Sequence, residues 1–330
     1  MHSPIRIAVI GLDHWYAAIP FARRVADGDD TELVTIIDTD PARAAEVAAK
    51  VGSVGTGTDP AQAMTDPTVD AVACFTSVDR SPQLCIDAAK AGKHIVAVKP
   101  IAMTLDEADA VVAAVEDAAV TFIPSESRRS SPLAERLSQW VHGGRLGELR
   151  SGTFQMNSSL PISWPNATGP GWWVDPQRAP GGGWIDHAVY QLDRMAWLFD
   201  SPIADVTGVT GRIAHPDLAV EDYGHAIYTL ASGAVVTIED TWVAARGASS
   251  NRGALVGSAG SLYYDSTQQM FGWSENGGPW TYTAMPTDTF DTLDTLVRAV
   301  RGEQQPSSTA RTARSTLAAA LDFYATARHA

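Results

Sequence analysis

Ile5-Arg6-Ile7-Ala8-Val9-Ile10-Gly11-Leu12-Asp13-His14 is a run of mostly β-branched and apolar residues that stops at a glycine, the pattern of a buried strand feeding a tight turn. Working outward, a helix over 14–27 follows, and the run 33–37 is a second strand ending at Asp38. Asp40-Pro41 then supplies an N-cap with proline at the first helical position, and Gly52 closes that helix. Residues 70–76, 94–98 and 120–123 read as further strands. Between them lie a helix from Ser81-Pro82 to Gly92 and one opened by the capping box Thr104-Leu105-Asp106-Glu107. Strands alternating with helical segments predict βαβ units and a parallel sheet with helices on both faces. Ligands bind such sheets at the carboxyl ends of the strands. That edge carries Gly11, Asp38, Thr76, Ser77, Lys99 and Glu126.

The chain has 330 residues, enough for two domains with substantial cores. Its 24 Lys and Arg against 38 Asp and Glu give a net charge of −14, and no basic run exceeds two residues, which argues against nucleic acid as a partner. No apolar stretch reaches the roughly 18 residues of a membrane span, and the first apolar run is too short for a signal peptide. The expectation is a cytoplasmic protein with no membrane partner. Cys74 and Cys85, the only cysteines, read as small buried hydrophobes in a reducing compartment rather than as a metal pair.

A dinucleotide-binding turn has the form G-x-G-x-x-G after the first strand, with an acid about 20 residues further on for the ribose hydroxyls. Gly11 and Asp38 fit, but the second and third glycine positions hold Asp13 and Tyr16. A carboxylate at position 13 brings bulk and like charge to the place of the pyrophosphate, and a protonated His14 would offset it. Asp38, Thr39 and Asp40 favour NAD over NADP, because a 2'-phosphate would meet two carboxylates and no arginine. The cofactor candidates are Gly11, Asp13, His14, Asp38, Thr76, Ser77 and Lys99; a Rossmann-like domain that has lost its dinucleotide is the alternative.

The stretch Ala91-Gly92-Lys93-His94-Ile95-Val96-Ala97-Val98-Lys99-Pro100 resembles the AGKHV...EKP signature of the glucose-fructose oxidoreductase, inositol dehydrogenase and rhizopine catabolism (Gfo/Idh/MocA) family. Arg128-Arg129-Ser130-Ser131-Pro132 and Gly144-Arg145-Leu146-Gly147-Glu148-Leu149 resemble its later motifs. So do Gly181-Gly182-Gly183, leading to Asp186 and Tyr190 in the place of D-x-x-x-H, and Val220-Glu221-Asp222 with Gly233-Ala234. The resemblance covers essentially the whole chain. It implies an N-terminal Rossmann-like domain, here 1–123, and a C-terminal α/β domain, 124–330, with a large open, mostly antiparallel sheet. Residues 148–158, 205–213, 224–230, 234–241 and 254–256 read as strands of that sheet. An open sheet face invites pairing with a second copy, so a homo-oligomer, dimer or tetramer, is expected.

In relatives the signature lysine, the motif aspartate and the motif histidine surround the nicotinamide and the substrate carbinol. Lys99 and Asp186 hold the first two positions and Tyr190 replaces the histidine. A tyrosine can accept the carbinol proton when an ammonium stands beside it, so Lys99, Asp186 and Tyr190 are the catalytic candidates. Trp164, Trp172, Trp173 and Trp184 crowd one Gly- and Pro-rich stretch; indoles stack on sugar rings. The substrate candidates are Glu126, Arg128, Trp172, Trp173, Trp184 and His187. His187, His225 and Glu126 offer metal-ligand types without diagnostic spacing, and no metal is expected. The leading function is an NAD(P)-dependent oxidoreductase of the CH–OH group of a sugar, cyclic polyol or related glycoside. The altered residues at 13, 16 and 190 keep open a redox-neutral lyase, hydrolase or isomerase, cofactor-independent or metal-dependent, and a binding protein with a vestigial site.

Overall fold

The structure, a computed structural model, describes residues 3–52, 54–289 and 292–330. The first half runs β1 (Ile5–Ile10), α1 (Trp15–Asp27), β2 (Thr31–Ile37), α2 (Pro41–Val51), β3 (Gly55–Gly57), α3 (Ala61–Thr65), β4 (Ala71–Cys74), α4 (Ser81–Lys90), β5 (His94–Ala97), α5 (Leu105–Asp117) and β6 (Phe122–Pro124). These six strands form one parallel sheet in the order β3-β2-β1-β4-β5-β6. Side chains of a strand alternate between faces, and β1 shows why the expected run is apolar throughout. Ile5, Ile7 and Val9 pack toward α1 and α2, while Ala8 and Ile10 pack with α4 and α5. Asp40 caps α2 through the N–H groups of Ala42 and Arg43, and Thr104 and Glu107 cap each other at α5. β3 was not anticipated, because Gly-Thr-Gly offers no apolar pattern.

The second half runs α6 (Pro132–Val141), β7 (Leu149–Asn157), a 3-10 turn at Gly171–Val174, α7 (Ile185–Phe199), β8 (Ile203–Gly211), β9 (Tyr223–Leu230), β10 (Val235–Thr241), β11 (Ser250–Gly257), β12 (Gly260–Asp265), β13 (Met270–Glu275), β14 (Thr281–Ala284), α8 (Thr292–Val300), α9 (Ala310–Thr326) and β15 (Arg328–His329). Its nine strands order as β14-β13-β12-β11-β7-β10-β9-β8-β15. Pairing is antiparallel except for β7 with β10 and β8 with β15. The sequence reading missed β12 to β15, whose residues mix polar, glycine and aromatic side chains. α7 and α9 cover one face of this sheet. α8 returns to the first sheet, where Leu293, Leu296 and Val297 join the core beside α1. Among the described residues no helix is long and apolar enough to cross a membrane.

The three glycines before α7 are there for space. A Cβ on Gly182 would lie 2.1 Å from the carbonyl oxygen of Glu221, and one on Gly181 would lie 2.2 Å from the Tyr324 hydroxyl. The Glu221 carboxylate accepts the N–H groups of Gly182 and Trp184, so a neighbouring segment caps α7. Asp186, in the first helical turn, is thereby left free to face the first domain rather than serving as the N-cap.

Candidate active site

Lys99 follows β5 and is 1% exposed. Its ammonium donates to the carboxylate and to the backbone carbonyl of Asp186. The other Asp186 oxygen accepts Trp242 Nε1–H at 3.0 Å and lies 3.5 Å from His187 Nδ1. Burial opposes both charges, yet each outweighs it for the other: Lys99, His187 and the Trp242 N–H hold the Asp186 carboxyl well below its ordinary range, and Asp186 holds Lys99 protonated. Tyr190 sits one turn further along α7. Its ring lies 5.3 Å from Lys99 Nζ on one contact and 4.2 Å from the Arg128 guanidinium on another. The three catalytic candidates are therefore brought together.

His187 also approaches Ser158 Oγ at 3.5 Å, and burial pushes its pKa down to about 4. His14, whose Nδ1 pairs with the Thr76 carbonyl at 3.1 Å, is pushed down to about 3 by burial and by Lys99. It is a neutral ring, so the expected compensation of Asp13 by a His14 cation is corrected. Glu126 is enclosed at 2% exposure, and burial pushes its pKa up to about 8.

The tryptophans divide. Trp172 and Trp173 stack at 4.4 Å, pack on His14, and with Lys99, Asp186 and Trp242 line a cavity of about 20 Å³. Trp164 instead lies under the Arg43 guanidinium at 4.7 Å. Trp184 is corrected: as the N-cap of α7 it is fully buried against Phe323 and donates to the Ile238 carbonyl of the second sheet. A larger cavity of about 360 Å³ is lined by Tyr190 together with Tyr16, Ser125, Arg128 and Thr292. Another, about 500 Å³, adjoins the tryptophan pair through Ala179, Pro180 and Gly181.

His187, His225 and Glu126, the three ligand types that the sequence offers, do not converge. His225 lies on the outer face of the second sheet, 3.2 Å from Glu239, away from His187. Among the described residues no three His, Cys, Asp or Glu side chains converge as metal ligands.

A dinucleotide fits part of the strand edge as it stands. Gly11 has φ +83°, and a Cβ there would lie 2.5 Å from Thr76 Cγ2, so only glycine makes this turn. Asp38 follows β2 directly, its carboxylate oriented by the N–H groups of Leu12 (2.7 Å) and Asp40 (2.8 Å). The expectation of no arginine nearby is corrected, since Arg43 reaches within 3.7 Å of Asp40. At the pyrophosphate position Asp13 accepts the Ser77 N–H at 2.9 Å. Sequence reading missed Trp242, Arg80 and Arg178; only the place of Trp242, just past a predicted strand, hinted at a role.

The family profile described as "Oxidoreductase family, NAD-binding Rossmann fold" matches residues 5–125, and that described as "GFO/IDH/MocA C-terminal domain" matches 134–263. Myo-inositol 2-dehydrogenase of Thermotoga maritima is 25% identical over 268 residues, 80% of this chain and 76% of that one. Scyllo-inositol 2-dehydrogenase (NAD(+)) of Bacillus subtilis is 26% identical over 271 residues, 80% and 74% of the two chains. Levoglucosan dehydrogenase in complex with NADH and L-sorbose shares the fold with a TM-score of 0.86 at 18% identity, covering 99% of this chain and 97% of that one.

Proposed function

The chain belongs to the Gfo/Idh/MocA family, an NAD-binding oxidoreductase family, and on that premise we propose that it transfers hydride between NAD and the CH–OH group of a sugar or cyclic polyol. The observation that carries this reading is the buried Lys99–Asp186 pair at the carboxyl end of β5, with Tyr190 one turn away. Relatives named as inositol dehydrogenases and the stacked indoles of Trp172 and Trp173 support a cyclic substrate.

When bound, a nicotinamide would supply the hydride acceptor. Lys99 donates to the carbinol oxygen and offsets its growing negative charge as the proton leaves. Asp186 keeps Lys99 protonated and aimed. The Tyr190 oxygen accepts the carbinol proton as a phenolate and becomes a neutral hydroxyl; the Lys99 and Arg128 cations beside its ring offset the phenolate charge before the transfer. The Trp172–Trp173 pair excludes water from the reacting centre. Asp38 binds the adenosine ribose and selects NAD, so Asp38→Ala should weaken NAD more than NADP in a calorimetric titration. Equal losses would remove Asp38 from cofactor choice.

Ile227, Val235 and Val256, each 37–42% exposed, share the uncovered face of the second sheet. A second copy pairing there makes the protein a homo-oligomer, which light scattering checks. The substrate class is tested by incubating the protein with NAD and a panel of inositols, pyranoses, anhydrosugars and open-chain alcohols and following NADH absorbance. Turnover confined to open-chain alcohols would overturn the cyclic-substrate reading.

A further inference from the structure

The carboxylate of Asp13 stands where a dinucleotide turn has its second glycine, and alone it would repel a pyrophosphate. It is not alone. Its Oδ2 accepts the Ser77 N–H at 2.9 Å, and the guanidinium groups of Arg80 and Arg178 lie 3.6 and 3.8 Å away. Arg178 also donates to Ser77 Oγ at 2.7 Å and approaches Asp79 at 3.6 Å. One N–H donor and two arginines converging on one anion is the donor set that holds a phosphate.

The two arginines come from different domains. Arg80 precedes α4 in the first, and Arg178 belongs to the segment that carries the tryptophan pair in the second. That segment is pinned to the cofactor turn at three more points: Trp172 Nε1–H donates to the Asp13 carbonyl, Trp15 Nε1–H to the Ile162 carbonyl, and the Asp79 N–H to the Arg178 carbonyl. The side chains of Asp13, Arg80 and Arg178 are 14%, 37% and 34% exposed, so solvent and ligand reach them.

We propose that Asp13 is an internal stand-in for the cofactor pyrophosphate, and that Ser77 N–H, Arg80 and Arg178 form the seat both anions compete for. This rests on the dinucleotide reading above. A single carboxylate 3.6–3.8 Å from the guanidinium groups makes loose ion pairs without hydrogen bonds. A pyrophosphate carries more charge and more acceptor oxygens, and can engage both arginines bidentately. Its arrival takes Arg178 from Asp13, so cofactor binding acts directly on the segment that lays Trp172 and Trp173 over Lys99. Asp13 is then an affinity-setting residue: it weakens cofactor binding and keeps the seat assembled between turnovers.

The test is calorimetric titration of NAD into the full-length protein, with tryptophan emission as a second readout. Asp13→Asn keeps an acceptor for the Ser77 N–H and removes the competing charge; it should tighten NAD about tenfold. Arg178→Gln should weaken NAD about tenfold and reduce the emission change on binding. Inorganic pyrophosphate should compete with NAD in both the wild type and Asp13→Asn, more strongly in the variant. If the wild type binds NAD while Asp13→Asn binds it no more tightly, the seat is overturned and the dinucleotide reading stands. If the folded wild type and Asp13→Asn bind neither NAD nor NADP, the dinucleotide reading falls and the seat falls with it. Should Arg178→Gln misfold by circular dichroism, Arg80→Gln carries the same expectation.

Discussion

Two ion clusters flank the same strand edge and are built to opposite specifications. Lys99 and Asp186 are almost fully enclosed, in hydrogen-bond contact, and backed by Trp242 and His187. Asp13, Arg80 and Arg178 are partly exposed and separated by more than hydrogen-bond distance. The first cluster fixes charge at the reacting carbon, where water would dissipate it. The second leaves its cations available to a competing anion. Burial, rather than residue type, separates a charge pair that is part of the architecture from one that a ligand can exchange.

The largest effect should come from breaking the enclosed pair. Lys99→Met leaves the Asp186 carboxylate buried without its partner, which costs about 3–5 kcal/mol of stability. Turnover should fall about 10³-fold or more, since both the aimed donor and the charge are lost. Urea denaturation and NADH formation measure the two losses. A variant as stable as the wild type would place the pair in solvent and erase the contrast with the Asp13 cluster.

Next in size is Glu126, close to Lys99 and enclosed without a cation of its own. Its folded pKa, about 8, is raised chiefly by burial above the ordinary carboxyl value. Folding therefore takes up a proton, and stability is full below the unfolded pKa and lost as pH rises through 8. At pH 7 the loss is on the order of 3 kcal/mol, and Glu126→Gln should recover much of it. Thermal melts from pH 5 to 8 should slope downward in the wild type and flatten in the variant. Parallel slopes would mean that Glu126 is ionised in the fold.

How far the two clusters were legible in the sequence follows from how local each is. Five of the six strands of the first sheet could be read because each carries an apolar run, punctuated by Gly11, Asp38 or Lys99, while the Gly-Thr-Gly of β3 could not; the caps at Asp40 and Thr104 are nearest-neighbour chemistry. Lys99 and Asp186 could be placed by motif. Their partner Trp242 could not, because it reaches Asp186 across 56 residues of chain. Asp13 was visible only as a defect, since Arg178 lies 165 positions away, as the numbers 13 and 178 show, in a segment without periodicity. Trp184 was misassigned for the converse reason: nearness to Trp172 and Trp173 in sequence says nothing about direction, and at the N-cap of α7 its ring packs into the core.

Tyr190 tests whether the enclosed pair acts alone. Its ring touches both Lys99 and Arg128, but only its oxygen, as the phenolate, can take a proton. Tyr190→Phe preserves the cation–ring contacts and the packing, so stability should change by less than about 1 kcal/mol. If this oxygen is the acceptor, kcat should fall about 10²-fold while the NAD dissociation constant stays as in the wild type. Full activity would move the proton path to Lys99 and Asp186. Tyr190 would then be a ring that screens two cations from each other, and the enclosed cluster would contain the entire acid–base chemistry of the site.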